Sequence, residues 1–204
     1  MDLVKTEKRT PSQQRGLDRF NSILDALALL IREGESAQVT TQAVSKAARA
    51  SVGSVYHFFS SRENMLEALA QRHIEKFALV LEGIENLSDP QWCAFSPAEA
   101  IERLVGPIFS YLSQNWDFYI IANDPIYFPE YTEKSLLPKL YVLHERMVSL
   151  RCRTLDAADI ALHAKVLLKL PKGILEEFNL RPDPRLLKQA KFAMATYLQH
   201  IESE

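Results

Sequence analysis

The chain has 204 residues, 47% hydrophobic and 25% charged, proportions that supply a sizeable core and exclude disorder as the main state. Six glycines and ten prolines exclude collagen-like and Gly-rich low-complexity classes and weigh against a β-rich fold with many tight turns. The net charge of −2 is uneven: residues 1–62 carry nine bases and six acids, while 63–204 carry 15 bases and 20 acids.

Helical periodicity runs through the chain. Thr10-Pro11-Ser12-Gln13 combines a capping Thr, a first-turn Pro and a Gln that completes a capping box. Leu17, Phe20, Leu24, Leu27, Ala28 and Ile31 then form one apolar face, and Gly34 supplies the stop. Thr40 caps a short second helix from Thr41 to about Ala48, and Ser51 caps a third from Val52 to about Phe58. Ser61 caps a fourth, whose inner stripe is Met65, Leu66, Leu69, His73, Phe77, Leu81 and Ile84. Leu87–Ser96 reads as a connection. Ser96-Pro97-Ala98-Glu99 opens another helix, with Gly106-Pro107 expected to kink it. Ile121–Tyr131 contains Pro125 and Pro129 and reads as a loop. Helices are predicted over Leu137–Arg151 and Asp156–Leu170, the latter stopped by Pro171 and Gly173. A last helix follows Arg181-Pro182-Asp183-Pro184 and runs to about Ile201. The expected class is all-α, with a head over 1–62 and a larger helical domain over 63–204.

The segment from 40 to 58 is the most informative. Val44, Ala48, Val55 and Phe59 pack inward, with small Ser45 where the two short helices approach. Val52, Gly53, Ser54, Tyr56 and His57 are left facing solvent. A recognition helix needs small residues at its N-terminal end so that backbone and short side chains reach base edges. Tyr56 and His57 are long enough for phosphates or flanking bases. The capped starts at Thr40 and Ser51 offer N–H groups to phosphate oxygens. Ser36–Arg62 contains no Asp or Glu while retaining Lys46, Arg49 and Arg62, as a phosphate-facing surface requires.

These residues resemble the TetR family of transcriptional regulators. The matching positions are Ile23-Leu24-Asp25-Ala26-Leu27, Glu33-Gly34, Val39-Thr40, Val44, Ala48, Ser51, Tyr56, Phe59, Arg62 and Met65-Leu66, over about residues 15–70. The resemblance implies an all-helical homodimer, a three-helix head on double-stranded operator DNA, and a C-terminal domain that dimerises and binds a small inducer. Carried over, DNA contacts fall at Thr40, Thr41 and Gln42, then at Ser51, Val52, Gly53, Ser54, Tyr56 and His57. Arg62 stands where the family usually places a phosphate-binding Lys. The turn between the short helices is usually Gly-Val and is Arg49-Ala50 here, and Ser45 replaces a usual Ala. A left-handed Arg49 would carry about 1 kcal/mol of strain, offset if its guanidinium reaches a phosphate.

Two further expectations concern residues 63–204. Ten of the 19 aromatic residues lie between Leu87 and Tyr131, and an inducer pocket wants aromatic walls with polar tips. Phe109, Trp116, Tyr119, Tyr127 and Phe128 are the expected ligand-binding residues. The nearest base to this segment is Lys134, so the inducer is expected to be largely apolar rather than a multiply charged anion. The apolar stripes on the helices over 156–170 and 184–201 are broad, which suggests a four-helix interface between two subunits. Ile160, Leu167, Leu187, Met194, Tyr197, Leu198 and Ile201 are expected there.

No enzyme motif stands out, and no catalytic residue, cofactor or metal is expected. His144-Glu145 begins like a zinc-protease motif, but Val148 stands where the second His is needed. Cys93 and Cys152 lie far apart, in no metal-ligand spacing. The longest run free of Asp, Glu, Lys and Arg is Leu104–Trp116, 13 residues, short of the roughly 20 that a membrane span needs. Met1-Asp2-Leu3-Val4-Lys5 lacks the apolar stretch of a signal peptide, so a cytoplasmic protein is expected. The alternative function is a helical small-molecule-binding or protein-interaction module that does not bind DNA.

Overall fold

The computed structural model describes residues 11–33, 39–124 and 136–203. Among these the regular structure is helical: α1 (Pro11–Arg32), α2 (Thr41–Ala47), α3 (Val52–Phe58), α4 (Arg62–Glu85), α5 (Asp89–Ala94), α6 (Pro97–Gln114), α7 (Trp116–Ala122), α8 (Leu137–Arg151), α9 (Ala157–Lys169), α10 (Lys172–Leu180) and α11 (Pro184–Ile201). The chain divides into two compact units, Met1–Arg72 and His73–Glu204, and the division falls inside α4.

In the first unit, α1 buries Ile23, Leu24, Leu27 and Ile31, as its three- and four-residue spacing predicts. Phe20, on the same face, places its ring 5.9 Å from Phe58 and 5.0 Å from Phe59. Val44, Val55, Met65 and Leu69 complete this apolar centre, all fully buried. Arg72 of α4 reaches Asp25 of α1 at 2.7 Å.

In the second unit, α6 packs against α11 and α8 against α9. Capping explains where these helices begin. Ser96 accepts from Glu99 N–H, while the Glu99 carboxylate accepts from the Ser96 hydroxyl at 2.7 Å and from Ser96 N–H at 2.8 Å, which together hold that carboxyl below its ordinary pKa. Asp156 accepts from the N–H groups of Ala158 and Asp159, and Asp183 from that of Arg185. α6 continues through Gly106-Pro107, where Pro107 has no N–H to donate. A Cβ on Gly106 would lie 2.5 Å from the Glu102 carboxylate, so glycine leaves room for that side chain.

Three short helices differ from expectation. The connection over 87–96 contains α5, with Gln91 accepting from Ser88 N–H at 2.8 Å. Two arginines of α8 hold this segment: Arg146 donates to the carbonyls of Glu85 and Leu87, and Arg151 to those of Trp92 and Phe95. α7 extends through Ile121 and Ala122, where a loop is expected to begin. The helix over 157–169 stops before Pro171 as expected, but Pro171 then stands at the N-cap of a further helix, α10, where a missing N–H is tolerated. The expected stop at Gly34 and start at Thr10 lie outside the described residues.

Candidate nucleic-acid interface and effector cavity

The two short helices of the first unit begin at side-chain caps. Thr40 Oγ1 accepts from Ala43 N–H at 3.1 Å, and Ser51 Oγ accepts from Ser54 N–H at 3.0 Å. Between them Arg49 takes φ 50°, the one positive φ of a non-glycine residue among those described. Ala50 N–H donates to Ser45 C=O at 2.9 Å across this turn. Ser45 is buried, and its hydroxyl donates to Gln42 C=O at 3.0 Å. A small residue here lets the helices approach while its hydroxyl stays satisfied.

Burial then sorts the segment. Val44, Ala48, Val55 and Phe59 are buried. Thr40, Gln42, Arg49, Ser51, Gly53 and His57 are exposed, as are Val52 at 38% and Tyr56 at 52%. Thr41, Ser54 and Arg62 are half-buried. The outward set is thus small at the start of α3 and aromatic further along. A Cβ added at Gly53 would meet no atom within 4 Å, so the protein's own packing does not demand glycine there.

The second unit holds a cavity of about 230 Å³ walled by α4, α6, α7, α8, α9 and α10. Its apolar wall includes Phe77, Ile108, Phe109, Phe118, Leu140 and Leu175. Of the expected ligand-binding residues, Phe109 and Tyr119 line it. Trp116 does not: it is buried behind the wall and stacks on Tyr119, with ring centroids 4.2 Å apart. Tyr127 and Phe128 lie outside the described residues, as does Lys134. The surroundings are less free of bases than the aromatic segment suggests, because Lys169 of α9 and Lys172 of α10 border the cavity. Linear sequence hides this, since both lie more than 40 residues from Trp116 and Tyr119.

Three polar residues at or near the cavity also escape the sequence reading. His144 is 2% exposed and lines the cavity. Burial lowers its pKa to about 4, so the ring is neutral near pH 7. Next to the wall residue Phe118, His73 of α4 is buried with Asp117 of α7. His73 Nε2 lies 2.7 Å from Asp117 Oδ2, and His73 Nδ1 lies 2.9 Å from the Tyr111 hydroxyl. The Phe118 ring stacks on His73 at 5.1 Å. His73 belongs to the α4 apolar stripe, but the stripe gives no hint of a carboxylate partner 44 residues away.

The expected subunit-interface residues separate into two groups. Leu167, Met194, Leu198 and Ile201 are fully buried in the chain's own core and have no surface left for a partner. Ile160, Leu187 and Tyr197 are half-buried, and the Tyr197 hydroxyl is hydrogen bonded to His163 Nδ1 at 2.6 Å. The large apolar side chains that α9 and α11 expose are Leu162, 55% accessible, and Phe192, 68% accessible. Phe192 lies outside the apolar face read from the spacing of α11, which is why the periodicity argument passes it by.

No helix among the described residues is long and apolar enough to cross a membrane. No curated protein matches the chain. Residues 23–69 match the family model described as bacterial regulatory proteins, tetR family. The chain is similar in fold to a TetR-family transcriptional regulator from Streptomyces coelicolor, at 24% identity and TM-score 0.51, over 90% of this chain and 99% of that one. A TetR transcription regulator from Haloarcula marismortui aligns with TM-score 0.65 at 15% identity, over 90% and 97% of the two chains. One from Thermus thermophilus aligns with TM-score 0.59 at 19% identity, over 89% and 97%. Residues 23–69 therefore form a tetR-family helix-turn-helix head, carried on the all-helical fold of that family's transcriptional regulators.

Proposed function

We propose that the chain is a ligand-released transcriptional repressor that binds a near-palindromic operator as a homodimer in the cytoplasm. Residues 1–62 serve as the DNA-binding domain and 63–204 as the ligand-binding and dimerisation domain. The observation that carries this reading is the outward face of α2 and α3: two capped helix starts, small residues at the beginning of α3, and no carboxylate from Ser36 to Arg62. Val52, Gly53 and Ser54 approach base edges. Tyr56, His57 and Thr40 to Gln42 contact flanking bases and backbone, and Arg49 and Arg62 approach phosphates. Two copies place two such faces one helical turn of DNA apart, which makes the operator near-palindromic. The subunit face is assigned to α9 and α11, where Leu162 and Phe192 are exposed and Ile160, Leu187 and Tyr197 keep part of their surface.

Operator selection from random duplexes, followed by a salt series on the selected site, tests this. The selected sequence is expected to have two-fold symmetry. Arg62→Ala is expected to weaken binding to all sequences and lower the salt slope by about one unit. Ser54→Ala or Val52→Ala is expected to alter base preference at an almost unchanged slope. No selectable duplex and no salt dependence would instead favour a helical module that does not bind DNA. A monomer in sedimentation at micromolar concentration would overturn the dimer.

A further inference from the structure

Two buried polar atoms in the walls of the second unit's cavity have no hydrogen-bond partner among the described residues. Nδ1 of His144 lies 2.7 Å from the carbonyl of Leu140. A carbonyl only accepts, so Nδ1 carries the proton and Nε2 presents a bare lone pair. That Nε2 has no hydrogen-bond partner among the described residues, and neither does the Tyr119 hydroxyl. Burial, with Glu176 nearby, pushes Tyr119 up to about 12, so it remains a neutral O–H that is able to donate. Buried polar groups are rarely left unpaired, because each one costs free energy until a partner arrives. Both residues line the same cavity, so a molecule inside it is the partner within reach.

Charge and size narrow the class. A bare Nε2 lone pair repels an anion, and the border carries both signs, Lys169 and Lys172 with Glu176 close to Tyr119, so it selects for neither ion. The volume of about 230 Å³ exceeds the roughly 150 Å³ that takes a benzene ring. That leaves room for a substituted ring or two fused rings. We infer that the cavity takes an uncharged, largely apolar molecule of one or two rings that donates a hydrogen bond from a hydroxyl or N–H to Nε2 of His144 and accepts one from Tyr119. The inference rests on the reading of this cavity as the effector site, and it makes His144 the residue that determines specificity.

Calorimetry on the full chain without DNA, using 2-naphthol, naphthalene and 2-naphthoate as probes, tests it. 2-Naphthol is expected to bind about tenfold more tightly than naphthalene, the gain of one well-formed hydrogen bond in a buried site. In His144→Phe that preference is expected to collapse while naphthalene still binds. Nitrogen-15 NMR of the wild-type chain supplies a second readout that needs no variant: the Nε2 resonance of His144 shifts with 2-naphthol and not with naphthalene. Equal affinities with an unmoved Nε2 resonance would overturn the inference, as would failure of all three probes to bind. So would tightest binding of 2-naphthoate that is lost in Lys169→Ala or Lys172→Ala. If 2-naphthol passes these tests yet leaves DNA affinity unchanged, the inference about the cavity stands and the reading of it as the effector site fails.

Discussion

Replacing Arg49 separates backbone strain from DNA contact in a single turn. With φ 50°, Arg49 holds the left-handed conformation, which costs an L-residue about 1–2 kcal/mol. Its side chain is exposed, so Arg49→Gly removes no buried apolar surface. Glycine takes this φ without strain but loses roughly 0.5–1 kcal/mol more backbone entropy on folding. The expected net gain is about 0.5–1 kcal/mol, or roughly 2–8 °C in Tm if the head unfolds as its own unit. On the DNA side one guanidinium is lost, so the salt slope is expected to fall by about one unit. Arg49→Ala is the control: it also removes the charge but keeps the strain, so it should match the glycine variant on DNA without the stability gain. Thermal unfolding followed by circular dichroism reads the first effect, and fluorescence anisotropy on a duplex across a salt series reads the second. A Tm for Arg49→Gly at or below that of the parent would refute the strain argument. An unchanged salt slope in both variants would remove Arg49 from the phosphate contacts.

Three further perturbations address other parts of the chain. Gly53→Ala meets no atom within 4 Å, so helix propensity should stabilise the head by up to about 1 kcal/mol. DNA affinity should nevertheless fall, because the added methyl occupies the face assigned to DNA; an unchanged operator affinity would place that face away from the bases. His144 has its pKa lowered by burial to about 4, below the 6.5 of an exposed ring, so the unfolded chain binds the extra proton first. Its contribution is present above pH 6.5 and is lost as pH falls toward 4. Urea unfolding of the parent should therefore steepen in pH dependence across that window relative to His144→Phe, and parallel profiles would contradict the buried neutral ring. Trp116 stacks on the cavity residue Tyr119, whereas Trp92 is buried in α5. Trp116→Phe should abolish most of the fluorescence change caused by a cavity ligand; a persistent change would locate the ligand elsewhere.

The head was the most legible part of the chain because its rules are local. Thr40 and Ser51 cap the helices three residues before the N–H groups they satisfy, and Val44, Ala48, Val55 and Phe59 face inward at helical spacing. Local rules also fell short where one residue type serves two ends. Pro171 and Gly173 mark a stop, and α9 ends at Lys169, yet Pro is equally at home where a helix begins, and α10 begins there. α5 and α7 are six and seven residues long, too short for periodicity to register. Ser88 and Gln91 stand at capping-box spacing and could have announced α5. The cavity was the least legible element. It is assembled from helices distant in sequence, so aromatic density found Phe109 and Tyr119 but also selected Trp116, which sits one layer back. His144 falls among Leu143, Met147 and Val148 on the buried face of α8. That placement marks it as a core histidine, but which ring nitrogen lacks a partner is a three-dimensional fact. Stripe width likewise overcounted the subunit face, because a broad apolar arc on α11 is largely consumed by packing on α6.

The buried bond between His73 and Asp117 bears on how an occupied cavity would act on DNA binding. Phe77 of α4 and Phe118 of α7 both line the cavity, and Phe118 stacks on His73. A ligand that displaces Phe118 therefore presses on a segment whose next residue, Asp117, is bonded to α4 through His73. Two responses are open to that segment. It can break the bond and move alone, or it can keep the bond and carry α4 with it. Breaking it gives up a hydrogen bond between side chains that are 3% and 1% exposed, at a cost of roughly 1–3 kcal/mol. A hundredfold loss of DNA affinity needs about 2.7 kcal/mol of coupling. A segment that keeps the bond is expected to carry α4 with it. The same helix carries Met65, Leu66 and Leu69, which are buried in the first unit. A ligand shifts α4 only if it binds the shifted arrangement more tightly than the unshifted one.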